Sequence, residues 1–407
     1  MYKYLILGAG PAGLTFANLL KNVGETSFII LEKEAEAGGL CRSAIVDGTP
    51  FDIGGGHFLD VRYPEVNKFL FRFMPENEWL LFTRDSRIEI NGNIINHPIE
   101  ANIWQMSLDN QVEYLKSVAV AGCNSGETIP SEFVSWIYWK LGKKIAEDYM
   151  LPYNKKMFGE NLNQLGTYWL EKLPNVSFDE TLLSCLTQKA YGKQPGHAQF
   201  YYPKKYGYGE LWLRMAENIQ NNIVYDTNIT EIDFNQITVT DCQGNTYQAK
   251  NIITTVPWTS FAKITGMPPD MVNSIGKLKH SSIQTAYYPQ NLDTTAHWIY
   301  YPDPNLAYHR ILVRHNFCPN SRGYWTETNL ERIDFTDNSS TSFSYINEYA
   351  YPLNTLEKPQ IMKSLLAFAR AKHVYGLGRW GEHKHYNSDV TVKCAMELFN
   401  EICINPI

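Results

Sequence analysis

The sequence predicts an α/β protein: a discontinuous, Rossmann-like nucleotide-binding domain that carries an inserted helical lobe and an antiparallel-sheet lobe. Three observations lead to this. Buried-strand runs at Tyr4–Leu7 and Phe28–Leu31 flank a stretch, Leu14–Leu20, with helical spacing of its apolar residues. Glycines in the order G-x-G-x-x-G separate the first strand from that helix. Strand patterns then resume after residue 200, and the last fifty residues read as helix, strand and helix, so the chain leaves its first fold and returns to complete it.

Between these ends, Asp109–Val118, Ser131–Trp139 and Lys144–Met150 carry helical patterns. Ser131 is the expected N-cap of the second of these, and Gly142 its stop. Ile223–Tyr225, Ile229–Phe234 and Gln236–Thr240 alternate as strands, with a turn at Gln243-Gly244-Asn245. Ile252–Val256 is another buried run, halted by Pro257, and Ala286–Tyr288 and Trp298–Tyr301 alternate again. The expected domains are 1–75 with 200–260 and 360–407 for the nucleotide fold, 100–199 for the helical lobe, and 76–99 with 261–359 for the sheet lobe.

Charge excludes some functions. A net charge of −6 gives no basic face for nucleic acid or an anionic membrane, although local cations can still hold a phosphate-bearing small molecule. The 26 Tyr, 19 Phe and 10 Trp suit sugars and flat rings as well as a large core. Seven scattered cysteines without a C-x-x-C pair, and a Met1 that runs straight into a strand, read as a cytoplasmic protein without a leader. The apolar stretch Phe133–Trp139 is far too short to span a membrane. His309, His315, His383 and His385 have no matched carboxylate set, so no metal is expected. Ser260 and Cys185 sit in no nucleophile motif. Oligomeric state is not readable.

The chemistry is concentrated near the N-terminus. In Gly8-Ala9-Gly10-Pro11-Ala12-Gly13, Gly8 permits the tight turn, Gly10 lets backbone approach a pyrophosphate, and Gly13 lets helix and strand pack closely. The helix N-terminus favours the negative charge. Glu32 closes the second strand about 20 residues on, where an acid accepts bonds from ribose hydroxyls. Gly38-Gly39-Leu40-Cys41-Arg42 then offers permissive glycines and a guanidinium suited to the pyrophosphate. Phe51-Asp52-Ile53-Gly54-Gly55-Gly56-His57 follows, and three consecutive glycines imply a close approach of backbone to a flat ring. Together these narrow the dinucleotide to FAD.

This order of motifs resembles the FAD family of amine oxidases, protoporphyrinogen oxidases and UDP-galactopyranose mutases. The likeness to the eukaryotic form of the mutases extends along the chain. Pro152-Tyr153-Asn154-Lys155 looks like their P-Y-N-x-K; Tyr308-His309-Arg310 and His315-Asn316-Phe317 look like their F-Y-R…S-N-Y-S-P. Tyr351-Pro352-Leu353-Asn354-Thr355-Leu356-Glu357-Lys358 is similar to Y-P-T-P-T-L-E-R, and Gly378-Arg379-Trp380-Gly381 to G-R-F-G. The resemblance implies that reduced FAD, primed by NADH or NADPH, attacks the anomeric carbon of a nucleotide sugar through N5. The sugar ring then opens and recloses as a furanose without net redox change.

Residue by residue, the resemblance gives Arg310 and Tyr351 to the substrate diphosphate, His57 to the mobile loop beside the flavin, and Asn154 to the substrate. Arg379 goes to the FAD pyrophosphate. The cofactor set implied by motifs and resemblance is Gly8, Gly10, Pro11, Ala12, Gly13, Glu32, Lys33, Gly39, Leu40, Arg42, Gly55, Gly56, His57, Ile229, Gly378, Arg379 and Tyr386. Several positions depart from the pattern. A second diphosphate arginine stands as Lys172 and a diphosphate tyrosine as Phe317. A substrate tyrosine becomes His385 or shifts to Tyr386. A substrate asparagine stands as His197, a tryptophan as Phe158, and a flavin-side glutamine as Glu100. These changes leave two readings open: a mutase for a different nucleotide sugar, or an FAD-dependent oxidase of amines or other small molecules. Arg310 itself reads either as a phosphate grip or as a sheet residue paired with an acid.

Overall fold

A computed structural model describes residues 1–121, 128–170, 176–192, 198–335 and 341–404. The α/β architecture expected from sequence is present. Tyr2–Leu7 lies at the centre of an eight-stranded sheet, parallel to Phe28–Leu31 on one side and Thr246–Thr254 on the other. Ile223–Val224 and Val374–Gly376 extend it in parallel, and Thr238–Asp241, Ile229–Asp233 and Lys263–Thr265 complete one flank. The first strand therefore pairs with chain more than half the sequence away, which closes the fold on itself.

The apolar runs explain why this sheet is buried. Successive strand residues point to opposite faces, and Tyr4, Ile6, Phe28 and Ile30 enter one core while Leu5, Leu7, Ile29 and Leu31 enter another. Continuous rather than alternating hydrophobicity is what a sheet covered on both faces requires. The helix Pro11–Asn22 covers the first face beside Ser388–Phe399, with Phe16 edge-on to Phe399 at 5.9 Å. Lys358–Ala371 contributes Met362, Leu365 and Ala369 to the second.

A seven-stranded sheet forms the other half of the site. Its order is Phe343–Pro352, His280–Tyr288, Tyr324–Asn329, Arg310–Leu312, Trp298–Tyr300, Ser86–Ile90 and Asn93–Asn96. All neighbours are antiparallel except Trp298–Tyr300 on Ser86–Ile90. The strand Trp79–Thr83 joins a separate three-stranded sheet with Gln199–Pro203 and Leu59–Asp60.

The helical section includes Leu108–Ala121, Phe133–Ile145, Leu151–Phe158 and Phe178–Thr187, and shares a core with Ile88, Ile90 and Ile95 of the seven-stranded sheet and with Leu353 just beyond its edge strand. Ser131 does not cap its helix. The residue before the first turn is Glu132, without a side-chain cap, and the Phe133 N–H donates instead to the Leu165 carbonyl at 2.9 Å. Gly142 ends the first helical run as expected: its φ of 74° is non-helical and marks a kink after which the helix restarts, and a Cβ there would lie 2.2 Å from the Ser117 carbonyl. A π-helical segment, Ala146–Met150, follows and leads into Leu151–Phe158. Such irregular turns are frequent at functional sites; here it sets the stacked pair Tyr149 and Tyr153, 5.6 Å apart.

The hairpin Ser43–Val46 and Thr49–Asp52 is fastened by two buried ionisable groups. Arg314 donates to the carbonyls of Pro50, Val46 and Thr49. Asp52 accepts from the Ser43 and Tyr202 hydroxyls, at 2.5 and 2.9 Å, and from the Tyr208 N–H at 3.0 Å. Burial outweighs those donors and pushes the Asp52 carboxyl up to about 6. A carboxyl raised on folding contributes stability below its unfolded pKa that is lost as pH rises through the folded value. Asp52→Asn is expected to remove that loss. Its unfolding free energy relative to the parent then rises by about 2–3 kcal/mol between roughly pH 4 and pH 7. Parallel urea-unfolding curves across that range would refute the assignment.

Candidate functional site

A cleft of about 610 Å³ opens where the first strand meets its helix, within the size range of ligand sites. It is lined by Gly8, Gly10, Pro11 and Ala12, by Glu32 and Lys33, by Gly39, Leu40 and Arg42, and by His57, Ile229, Arg379 and Tyr386. Residues from the beginning, middle and end of the sequence thus meet in one groove. The sequence did not single out Thr227, Asn228, Thr255, Pro257, Tyr345, Asn347 and Trp380, which also line it.

The remaining predicted glycines act behind this surface. A Cβ on Gly13 would fall 2.0 Å from the Gly8 carbonyl, and one on Gly378 would fall 2.8 Å from the Ala12 Cβ. The 54–56 run has a different cause from the expected approach to a flat ring. Added Cβ atoms would meet the Leu40 carbonyl at 1.8 Å, the Glu327 Oε1 at 2.5 Å and the Leu312 Cδ2 at 2.2 Å. Gly55 and Gly56 are glycines because protein fills their side-chain space, and His57 alone of that loop reaches the cleft.

The groove fits an extended dinucleotide. Gly10 meets only the Gly39 Cα, at 3.9 Å, so the two glycines leave a slot for a bulky anion. The Arg379 guanidinium is half-buried and donates to the carbonyls of Tyr386 and Ala350; no carboxylate among the described residues pairs with it. Burial lowers its pKa, so an anion in the groove would restore what desolvation costs. Glu32 accepts the Ala9 and Glu34 N–H groups at 2.6 and 3.0 Å at the strand end. Arg42 bonds the Tyr345 hydroxyl at 2.8 Å and Glu34 at 3.3 Å. Burial, then the charge of Arg379, hold His57 down to about 3, so its imidazole is neutral. Its Nε2 is buried without a geometric hydrogen bond among the described residues.

A second set of groups lies beyond His57. Arg310 carries 19% exposure and Glu327 1%, with Nη2 and Nε of the arginine 2.5 and 3.1 Å from Glu327 Oε2. Burial would raise the Glu327 carboxyl, but the Arg310 charge overrides it and holds the group well below the usual range. The Tyr351 hydroxyl reaches the same oxygen at 3.4 Å, and its ring lies 4.8 Å from that of His385. Tyr153 and Tyr300 meet edge to face at 5.4 Å, and Tyr300 accepts from Arg84 at 3.2 Å. Arg84 in turn sits 4.8 Å over Trp298. The result is a half-buried cluster of tyrosines and arginines that does not itself line the cleft.

Glu327, Tyr300 and Arg84 were missed by sequence reasoning. The available signal was an acid within the strand pattern Trp325-Thr326-Glu327-Thr328, on the same face as a tryptophan, since a buried acid demands a partner. Other expected residues fall elsewhere. Asn154 is buried and donates to the Met150 carbonyl of its own helix at 2.7 Å. Phe317 lies in the aromatic core against Phe58, Tyr202 and Trp325. Phe158 packs 6.0 Å from Trp169, and Glu100 is buried with a carboxyl raised by burial. Lys172 and His197 lie outside the described residues. Among the described residues no group of three metal-ligating side chains is gathered, and no helix is long and apolar enough to cross a membrane.

Comparison with known proteins agrees with this geometry. Residues 6–73 match the NAD(P)-binding Rossmann-like domain family. Among solved structures, a reduced UDP-galactopyranose mutase superposes with a TM-score of 0.88 at 20% identity, covering 99% of this chain and 94% of that one. A protein described as a protoporphyrinogen oxidase, from Exiguobacterium sp. 255-15, gives 0.70 at 14% identity over 98% of both chains. Putrescine oxidase with bound putrescine gives 0.64 at 13% identity over 99% of both. The chain therefore has a flavoenzyme-like α/β fold, opened by a Rossmann-like dinucleotide-binding unit.

Proposed function

We propose that the protein is an FAD-dependent mutase that interconverts pyranose and furanose forms of a nucleotide sugar, similar to the eukaryotic UDP-galactopyranose mutases. The observation that carries this reading is the adjacency of a dinucleotide groove, ending at His57, to a tyrosine-lined site containing Arg310 and Tyr351. Similarity to the fold of a UDP-galactopyranose mutase supports it. Bound FAD, reduced by NADH or NADPH, supplies a nucleophilic ring nitrogen. The chain's own residues do the rest. Gly10, Arg42 and Arg379 hold the cofactor pyrophosphate; Arg310, aided by Tyr351 and Lys172, holds the sugar's diphosphate as it gains charge on departure. Tyr149, Tyr153 and Tyr300 keep water from the reacting sugar, and Asn154 fixes the helix that bears Tyr153.

One observation favours a second reading. Glu327 neutralises Arg310 inside an aromatic wall, an environment that also suits an amine. In that case the protein is an FAD-dependent oxidoreductase of the amine-oxidase kind. Incubating dithionite-reduced protein with a panel of nucleotide sugars, followed by chromatography, separates the two. Ring-form conversion without hydride consumption supports the mutase. No conversion, together with amine-dependent peroxide from the oxidised protein, overturns it in favour of the oxidase.

A further inference from the structure

Among the described residues, Glu327 is the carboxylate that touches both the glycine loop before His57 and the Arg310–Tyr351 pair. Its Oε1 accepts the Gly56 N–H at 3.1 Å, and a Cβ on Gly55 would collide with that oxygen. Its Oε2 takes both Arg310 contacts and the Tyr351 hydroxyl, with the His309 Nε2 at 3.5 Å. Strand register puts Arg310 directly opposite Glu327, so the two side chains share one face of the sheet. At 1% exposure there is no room for water to substitute for a lost partner. Gly55, at φ +90°, belongs to a segment that changes backbone state at low steric cost.

We propose that Glu327 is a positioning residue that ties the glycine loop 54–57 to Arg310 and Tyr351, so that displacement of the loop alters the hold on the anion-gripping guanidinium. The chemistry requires a carboxylate. Each oxygen accepts from a different element, whereas a glutamine accepts on one oxygen only and turns a donor towards either Gly56 N–H or Arg310. An ordinary cross-strand ion pair would stabilise the sheet but would have no reason to hold the loop. The proposal rests on the proposed function only for the identity of the anion.

The test is hydrogen exchange of the peptide spanning residues 54–58, followed by mass spectrometry in the full-length, as-purified protein. Parent, Arg310→Met, Glu327→Gln and the double variant form the cycle. Exchange about tenfold faster is expected in each single variant, from loss of a charge-assisted bond. The double variant is expected to exchange no faster, since both changes cut the same link. Arg310→Lys, which keeps the charge, recovers most of the protection. Additive increases, or an unchanged rate in Arg310→Met, overturn the proposal. UDP affinity of the same proteins separates the two ideas. A non-additive cycle without UDP binding keeps the link and sinks the nucleotide-sugar reading; Arg310-dependent UDP binding with an additive cycle does the reverse. If the charge variants fail to fold, Gly55→Ala asks the question from the loop side. Its methyl displaces the carboxylate, so dicarbonyl labelling of Arg310 accelerates severalfold, and unchanged labelling overturns the link.

Discussion

Gly10→Val yields a folded, colourless protein. The backbone at Gly10 has φ −81° and ψ −176°, an extended conformation that valine adopts without strain. An added Cβ meets no protein atom closer than the Gly39 Cα at 3.9 Å and lies at the groove proposed for the cofactor pyrophosphate. Flavin is lost while the fold is kept. Gly13→Ala is the opposite case: its methyl falls 2.0 Å from the Gly8 carbonyl, so helix and strand separate. The measurements are visible flavin absorbance and thermal midpoint for both variants. A yellow Gly10→Val protein would remove the groove from the cofactor assignment, whatever its stability.

The second large effect is expected at Arg310. Arg310→Ala lowers the catalytic rate by about a hundredfold or more, near the 3 kcal/mol that one transition-state donor supplies. Lys172→Ala costs less, since a flexible ammonium makes one contact where a guanidinium makes two. Arg310→Ala also strands the Glu327 carboxylate, and removing one partner of a buried pair costs about 3–5 kcal/mol of stability. The pH dependence follows. In the parent, Arg310 depresses the Glu327 pKa, so the pair contributes stability above the unfolded carboxyl value and loses it as pH falls through the folded one. In the variant, burial is opposed only by His309, the Gly56 N–H and the Tyr351 hydroxyl and raises that pKa, so the stability is lost as pH rises. The gap between the two proteins is therefore wide at about pH 8 and narrows towards about pH 4. Urea unfolding at both ends measures it. A gap independent of pH would mean that Glu327 has another partner for its charge.

What could be read in advance follows the range of the interactions. Phe28–Leu31 and Tyr4–Leu7 declare themselves because a doubly covered strand must be apolar at every position. The Gly8–Gly13 turn, Glu32 and Arg42 lie close in sequence, so their joint use is visible locally. Glu327 was not visible, because its meaning comes from facing Arg310 across two strands and Gly56 across the loop, a register no local pattern encodes. The 54–56 glycines were recognised as a tight approach, but what they approach is the Leu40 carbonyl, Glu327 and Leu312. Ser131 failed as a cap because the helix starts one residue later than its pattern suggested, with Glu132 before the first turn and a tertiary bond from the Phe133 N–H to Leu165.

The pairing of Tyr2–Leu7 with Thr246–Thr254, and of that strand with Val374–Gly376, has a consequence for synthesis on the ribosome. Arg379 and Tyr386 emerge after every strand of the eight-stranded sheet has been made, so a nascent chain holds the glycine turn long before the far wall of its groove exists. Until Thr246–Thr254 is made, the central strand lacks a neighbour on one side and exposes an edge of Tyr4, Leu5, Ile6 and Leu7, the kind of edge that other chains add to. A ligand that needs both walls of the groove can thus be captured only late in synthesis, after that first strand has passed its most exposed stage.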